Sequence, residues 1–277
     1  MSAARGLVLA AMLLMPAALG CRSADSWAEQ GDRSLRENDL PAAERAYDRA
    51  LDMDPHHAPA IYGKGWAYYV SGFDELRSPA RQLFQRAVDY GPDYFGGYRG
   101  LGVLLLEEGK IGPGEKLLRD AFARGPEEPG VLESLGQLYL QAGRLDEARA
   151  LFQGAVDAAP DRGEFHRFLA EVAIAEKDWE RAFAAIDKGR ASAVSGLRGT
   201  MALDEGEARI RLEFAGHVAE TALGPADPNR RLALEGLDRA DELLAKSRKE
   251  GLAPEDLEAR RRYHAELRRR LEGEPPG

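Results

Sequence analysis

The amino-acid sequence predicts an all-α protein made of repeated helical hairpins, and three observations support this prediction. Small residues recur along the chain at intervals of 34 residues, with one interval of 37. Large apolar residues recur beside them with the same period. Alanine, leucine, glutamate and arginine, which have high helix propensity, are abundant throughout the chain. A period of this length predicts stacked units that share a continuous core, and not one globular core.

Four independent series of residues define the period. Two antiparallel helices approach closely only where small side chains meet, and proline ends a helix because it lacks the amide hydrogen. The three extra residues of the second unit are expected in the turn from Gly72 to Pro79. The four series are Gly31, Gly65, Gly102, Gly136 and Ala170; Ala43, Ala80, Gly114, Ala148 and Ala182; Ala50, Ala87, Ala121, Ala155 and Gly189; and Pro55, Pro92, Pro126 and Pro160.

The pattern resembles the tetratricopeptide repeat. The resemblance implies a right-handed superhelix, an α-solenoid with a concave groove, whose neighbouring hairpins share one core. In the fifth unit His166 occupies a position that is apolar in the other units. Residues 25–194 are expected to form five repeats, residues 195–250 a degenerate sixth hairpin, and residues 251–277 a C-terminal capping helix and tail. The five hairpins are expected near residues 24–57, 58–94, 95–128, 129–162 and 163–194.

Residues 1–20 resemble a signal peptide whose apolar run is too short to span a bilayer. The segment from Ala18 to Cys21 resembles the lipobox of bacterial lipoproteins. That resemblance implies cleavage before Cys21, a covalent lipid on its sulfur, and residues 21–24 as a lipidated tether. The alternative is a general secretory signal with a chance cysteine. Arg22 stands where aspartate retains many lipoproteins at the inner membrane, which favours the periplasmic face of the outer membrane.

Helical geometry predicts a binding groove on the first helices of the units. At about 100° per residue, Tyr62, Trp66 and Tyr69 fall outside the stripe that faces the core. The family resemblance places that side on the concave surface, and aromatic residues and arginine are enriched at protein interfaces. The predicted peptide-binding groove consists of Tyr62, Trp66, Tyr69, Arg99, Val103, Leu106, Gln137, Leu140 and Arg167.

Trp66 lies nearly opposite the core stripe, and we expect it to be exposed and to anchor a partner segment. Arg99 and Arg167 are expected to set the charge preference along the groove. The alternative for residues such as Leu106 and Leu140 is that they pack against the next hairpin.

Composition and net charge argue against several classes of function. A formal net charge of −9 argues against general nucleic-acid binding, which depends on basic patches. A single cysteine cannot form an internal disulfide or a thiolate metal site, and the five histidines are scattered. The sequence therefore predicts no catalytic cluster, no metal site and no cofactor other than the covalent lipid on Cys21.

The favoured function is a membrane-anchored scaffold or assembly factor of the bacterial cell envelope. Its expected partners are the membrane, through the lipid, and envelope proteins or extended peptide segments in the groove. The architecture is similar to that of the pilotins of type IV pili, and other family members serve in outer-membrane biogenesis or polysaccharide export. The alternative is an enzyme or cell-wall-modifying activity in residues 195–277.

Overall fold

The structure, a computed structural model, describes residues 23–192, 197–221, 228–250 and 254–272. These residues form thirteen α-helices and include no strand. The predicted all-α fold class is therefore confirmed. The expected signal peptide and Cys21 lie outside the described residues.

The first ten helices pair as five antiparallel hairpins, each made of a first and a second helix, and each hairpin packs against the next. In chain order the ten helices are α1 Ala24–Arg36, α2 Leu40–Met53, α3 Ala58–Val70, α4 Asp74–Tyr90, α5 Phe95–Glu107, α6 Ile111–Arg124, α7 Pro129–Gln141, α8 Leu145–Ala158, α9 Phe165–Ala175 and α10 Trp179–Ser192. Three more helices follow, α11 Leu197–Thr221, α12 Pro228–Glu250 and α13 Pro254–Glu272.

In each of the first four hairpins, a glycine of the first helix lies against a large buried side chain of the second helix. A β-carbon on Gly136 would lie 2.6 Å from the Phe152 ring, closer than the 3.0 Å that real β-carbons respect. Gly136 therefore lies directly against the Phe152 ring. This contact explains the first series of small residues. Equivalent contacts join Gly31 to Tyr47, Gly65 to Phe84 and Gly102 to Leu118.

The three extra residues of the second hairpin lie in a helix, so their expected place in the turn was wrong. Helix α4 contains 17 residues, whereas α2, α6, α8 and α10 contain 14 each. Helix α4 begins at Asp74, and Pro79 lies inside it. The missing amide hydrogen of Pro79 removes one bond, to the Glu75 carbonyl. The longer α4 keeps the remaining residues of the hairpin in the common register.

The turns inside the first five hairpins share one backbone feature. One residue of the turn has a positive φ, with values of 76°, 74° and 73° at Gly72, Gly109 and Gly143, and of 64° and 60° at Asn38 and Lys177. Glycine adopts this region without strain and asparagine tolerates it, whereas a lysine there costs roughly 1–2 kcal/mol. The fifth hairpin therefore has the least favourable turn residue.

Helices α11 and α12 form a sixth antiparallel hairpin, and α13 packs against both of them. Leu212 and Val218 of α11, Leu237 of α12 and Leu267 of α13 are buried in their shared core. His264 of α13 is also buried, and its Nε2 lies 3.0 Å from the Leu237 carbonyl oxygen. The three helices thus close the C-terminal end of the solenoid.

Buried ion pairs join the sixth hairpin to the fifth. Arg190 of α10 donates to Asp204 at 2.8 Å and pairs with Glu207, both in α11. Arg211 pairs with Glu207 at 2.7 Å. Burial acts to raise the pKa of the Glu207 carboxyl, but hydrogen bonds from Arg211 and Arg190 outweigh it and hold that pKa below its ordinary value. Glu207 is therefore an ionised, structural carboxylate.

Candidate functional site

The first helices of successive hairpins line one face of the solenoid. Helix α1 contacts α3, α3 contacts α5, α5 contacts α7 and α7 contacts α9. Among the described residues, no such contact joins successive second helices from α2 to α10. The first helices therefore lie closer together than the second helices do, which makes their side the concave face.

Arg99 of α5 lies at the centre of this face, and its side chain is held from several directions. Its Nε donates to the Ser134 hydroxyl of α7 at 3.0 Å, and its Nη1 donates to the Tyr62 hydroxyl of α3 at 2.5 Å. The guanidinium carbon lies 3.8 Å from the centre of the Trp66 ring. A β-carbon on Gly130 would lie 2.9 Å from the same carbon, so glycine makes room for the guanidinium.

Arg99 is only 8% exposed, yet it has no paired anion. No carboxylate oxygen of the described residues lies within 4.0 Å of its guanidinium nitrogens. Glu128 lies beyond that distance, and the charge of Arg99 acts to lower the pKa of its carboxyl. Burial and repulsion from Asp32 outweigh this effect and raise that pKa. Buried charges in proteins are normally paired, so this cation is unusual.

Aromatic rings surround Arg99 in a continuous cluster. The ring of Tyr62 lies 6.0 Å from that of Trp66 and 6.1 Å from that of Phe95, measured between centroids. Trp66 and Tyr69 are 4.9 Å apart, and Tyr94 and Phe95 are 4.6 Å apart. The structure thus brings the predicted residues Tyr62, Trp66 and Tyr69 together with Arg99. We call Tyr62, Trp66, Tyr69, Tyr94, Phe95 and Arg99 together the aromatic–arginine site.

The phenols of this site are hydrogen-bond donors. Burial raises the pKa of Tyr62, and the nearby Arg99 only partly opposes it. Burial also raises the pKa of Tyr94 well above its ordinary value. Because the Tyr62 oxygen accepts a hydrogen from Arg99 while the phenol stays protonated, Tyr62 keeps its own hydrogen to donate.

Trp66 is less exposed than its position on an isolated helix predicts. Its ring contacts the Arg99 guanidinium and lies 6.3 Å from the Phe84 ring, measured between centroids, and the residue is only partly exposed. Trp66 also packs against the small core around Ala80, Phe84 and Leu104. The expectation of an exposed Trp66 was therefore wrong, because it considered α3 without the packing of α4 and α5.

Tyr69 lies at the rim of the site and is tied to a salt bridge. Its hydroxyl donates to Glu107 at 2.6 Å, and Arg77 donates to the other oxygen of Glu107 at 2.6 Å. Burial, with the hydrogen bond to Glu107, raises the pKa of Tyr69. This link joins the second hairpin to the third beside the aromatic–arginine site.

Several other predicted groove residues have packing roles. Val103, Leu106 and Leu140 are partly buried against the core formed by α6, α7, α8 and α9. Leu106 also fills the space that Gly114 leaves open. Gln137 donates to Glu133 at 3.4 Å, within the same helix. The alternative that Leu106 and Leu140 pack against neighbouring elements agrees with this arrangement.

Arg167 lies in α9 at the repeat position that Arg99 occupies in α5, but its charge is neutralised. It pairs with Glu171 one turn further along the helix, and its guanidinium carbon lies 4.2 Å from the centre of the Phe168 ring. Its Nε is buried without a hydrogen-bond partner in the described structure. Arg167 therefore differs from Arg99 in having a carboxylate of its own.

Four further residues around Arg99 were not predicted from the sequence: Tyr94, Phe95, Ser134 and Gly130. Tyr94 and Phe95 stand at the start of α5, a position assigned to the hairpin junction. Ser134 both accepts from Arg99 and donates to the Gly130 carbonyl at 2.9 Å, so it fixes the guanidinium. The sequence signal for this contact is a glycine and a serine four residues apart on α7, the first helix of the hairpin that follows Arg99.

The described residues hold no group of three or more histidine, cysteine, aspartate or glutamate side chains placed to bind a metal ion. None of the described helices has both the length and the apolar composition needed to cross a membrane.

Residues 29–72 match a family model of the tetratricopeptide repeat, and so do residues 105–172 and 139–196 in two overlapping matches. Among curated proteins, cellulose synthase 2 operon protein C of Komagataeibacter xylinus is 37% identical over 81 residues. That match covers 29% of this chain and 6% of the relative.

Solved structures share the fold over most of the chain. The Cut9–Hcn1 hetero-tetramer of the APC/C aligns with a TM-score of 0.59 and 18% identity, over 82% of this chain and 41% of that one. PilF of Pseudomonas aeruginosa aligns with a TM-score of 0.50 and 17% identity, over 82% of this chain and 90% of the PilF chain. PilW, a type IV pilus biogenesis factor, aligns with a TM-score of 0.51 and 16% identity, over 80% of this chain and 91% of the PilW chain. The chain therefore contains tetratricopeptide repeats and folds as an α-solenoid of that kind.

Proposed function

We propose that the protein is a membrane-anchored scaffold of the bacterial cell envelope, whose concave groove holds an extended, acidic segment of a partner protein. Solenoids of helical repeats in general use their concave surfaces for protein binding. The observation that carries the proposal is Arg99, a nearly buried guanidinium without a paired anion on that surface.

A carboxylate from the partner would complete the environment of Arg99. Withdrawing a charge from water costs several kcal/mol unless an opposite charge compensates for it. The Arg99 guanidinium and the Tyr62 hydroxyl would both donate to that carboxylate, and the guanidinium lies over the Trp66 ring. Charge-assisted bonds of this type are stronger than neutral ones. The aromatic rings around Arg99 would cover the apolar part of the bound segment.

The membrane anchor in this proposal is a lipid on Cys21. Helix α1 begins at Ala24 with Ser23 as its N-cap, so the chain between Cys21 and the helix spans at most about 11 Å. A lipid there would hold the first hairpin against the membrane surface. The proposed location is the periplasmic face of the outer membrane.

A role in assembling an outer-membrane complex, similar to that of a pilotin, is the finer form of the proposal. Its support is architectural, since PilF and PilW share the fold over at least 80% of this chain. A second candidate is a scaffold for polysaccharide export, which the 81-residue match to cellulose synthase 2 operon protein C favours. Loss of surface pili or loss of secreted polysaccharide in a deletion strain distinguishes the two.

Site-specific photo-crosslinking in intact cells tests the scaffold. A photoreactive phenylalanine analogue replaces Tyr69 at the rim of the aromatic–arginine site, and the same analogue replaces the exposed Gln85 of α4 as a control. The expected result is a discrete adduct from position 69 that is absent from position 85 and is lost when Arg99 is changed to methionine. Equal labelling from both positions, or an adduct that persists when Arg99 is changed to methionine, would contradict a binding site at this surface.

A further inference from the structure

His166 of α9 is a polar residue at a position that is apolar in the other units. The equivalent residues are Ile61, Tyr98 and Leu132. His166 is 9% exposed, and its Nδ1 is buried with no hydrogen-bond partner in the described part of the chain. Buried polar atoms in proteins are nearly always paired, so the unpaired Nδ1 restricts which ring nitrogen of His166 can carry the hydrogen.

The imidazole forms part of the wall of a cavity of about 260 Å³. The cavity opens between the second helices α8 and α10, with α9 as its floor, and so lies on the face opposite the concave groove. Three cationic side chains line it, Arg149 from α8 and Arg181 and Lys188 from α10, and none of its lining residues is acidic.

The three cations differ in their partners. Arg149 and Arg181 both pair with Glu176, which lies outside the lining of the cavity. Lys188 makes no ion pair or hydrogen bond with any described residue. The ammonium group of Lys188 is therefore free to take an anion that enters the cavity.

The neutral imidazole has a preferred hydrogen position. Burial, together with the charge of Lys188, lowers the pKa of His166, so the ring is neutral near pH 7. A hydrogen on Nδ1 would be a buried donor without an acceptor, which is costly, so the hydrogen belongs on Nε2. The cavity then offers one neutral N–H donor and one free ammonium beside apolar walls that include Leu169 and Ala173, while its two guanidinium groups are already paired with carboxylates.

We propose that this cavity binds a carboxylate carried on a short hydrocarbon stem. The stem would lie against the apolar walls, while the carboxylate would accept hydrogen bonds from Lys188 and the His166 imidazole. A volume below the roughly 300 Å³ of drug-sized pockets suits a small acid or a single acidic side chain. The proposal is independent of the concave groove, because the two sites lie on opposite faces.

Glutarate, titrated into the full-length protein by isothermal calorimetry, is the first probe, with its neutral diamide as the matched control ligand. Glutarate should bind and the diamide should not. Lys188→Gln should weaken glutarate binding about tenfold or more. Lys116→Gln, which removes an exposed cation of α6 outside the cavity, should leave it unchanged.

His166→Leu places at this position the residue that the fourth hairpin uses, so the variant is expected to fold. It should melt at a higher temperature than the parent, because an unpaired buried polar atom is removed, and should bind glutarate at least tenfold more weakly. In the parent, the His166 ring resonance, identified by its absence from this variant, should shift on titration.

A blocked peptide with one internal glutamate distinguishes the source of the carboxylate. Binding of glutarate alone assigns the cavity to a free acid, and binding of the peptide assigns it to an acidic side chain of a protein. The proposal is overturned if neither probe binds, or if Lys188→Gln and His166→Leu bind the probes as well as the parent does.

Discussion

Replacing Arg99 by methionine should leave the protein about as stable as the parent while weakening its affinity for acidic segments. The guanidinium makes hydrogen bonds to Ser134 and Tyr62 and a cation–π contact with Trp66, which together contribute roughly 4 kcal/mol. Against this stands a desolvation cost of several kcal/mol for a nearly buried charge without a counter-ion. The two effects nearly cancel, so the free energy of unfolding should change by no more than about 1 kcal/mol.

Two of the three partners of Arg99 keep a contact when methionine replaces it. The Ser134 hydroxyl still donates to the Gly130 carbonyl, and methionine can pack against the Trp66 ring. Binding responds differently, because a charge-assisted hydrogen bond to a carboxylate contributes about 1.5–3 kcal/mol. The affinity for an acidic peptide should therefore fall roughly tenfold to a hundredfold.

Two measurements check this prediction, urea unfolding followed by circular dichroism, and fluorescence anisotropy with a labelled peptide that alternates alanine and glutamate. Arg167→Met is the matched control, because Arg167 has the same repeat position but is paired with Glu171, and its loss should change the affinity much less. A loss of more than about 2 kcal/mol of stability in Arg99→Met would make Arg99 a structural residue. Unchanged peptide affinity would refute the assignment of the site.

Four other predictions test separate parts of the structure. Cys21→Ala should release the protein from membranes or leave an unprocessed precursor, and a cleaved variant that still fractionates with membranes would contradict lipidation. Gly136→Leu should destabilise the protein by at least about 1–3 kcal/mol, because the new side chain meets the Phe152 ring, and an unchanged melting temperature would show that reasoning to be wrong. Trp66→Ala should cost about 2–4 kcal/mol in urea unfolding, since the ring packs near Arg99 and Phe84, and a loss under 1 kcal/mol would mean that it is exposed. Because the pKa of Glu207 is held below its ordinary value, the stability it provides is present above about pH 4.5 and is lost as the pH falls further; Glu207→Gln should therefore show a shallower decline in acid.

The fold could be predicted from the sequence because the small residues of the first helices and the large residues of the second helices recur with the same period. Gly31 and Tyr47, and Gly136 and Phe152, stand 16 residues apart within their units, so the small and the large series describe the same packing. The corresponding distance between Gly65 and Phe84 is 19 residues, which correctly indicated three extra residues. Their place could not be predicted, because Gly72 and Pro79 both suggested a turn.

The candidate site could be predicted only in part, because it is built between hairpins. The angular position of Trp66 on α3 agrees with the sequence, but that position does not show the side chains that cover it, Phe84 of α4 in the same hairpin and Arg99 of α5 in the next. Tyr94 and Phe95 stand at a junction where no helical period applies. The periodicity of a single helix therefore identifies the concave side but underestimates how deeply its residues are buried.

The contrast between Arg99 and Arg167 shows that the sequence held more information than its helical periodicity gave. Both arginines occupy the same repeat position, and both were expected to set the charge preference of the groove. Four residues further along the helix stands Val103 after Arg99, but Glu171 after Arg167. Opposite charges at this spacing face each other on a helix surface and pair. The rule thus identifies Arg167 as internally neutralised and leaves Arg99, in the middle of the five hairpins, as the concave-face cation that still needs an anion.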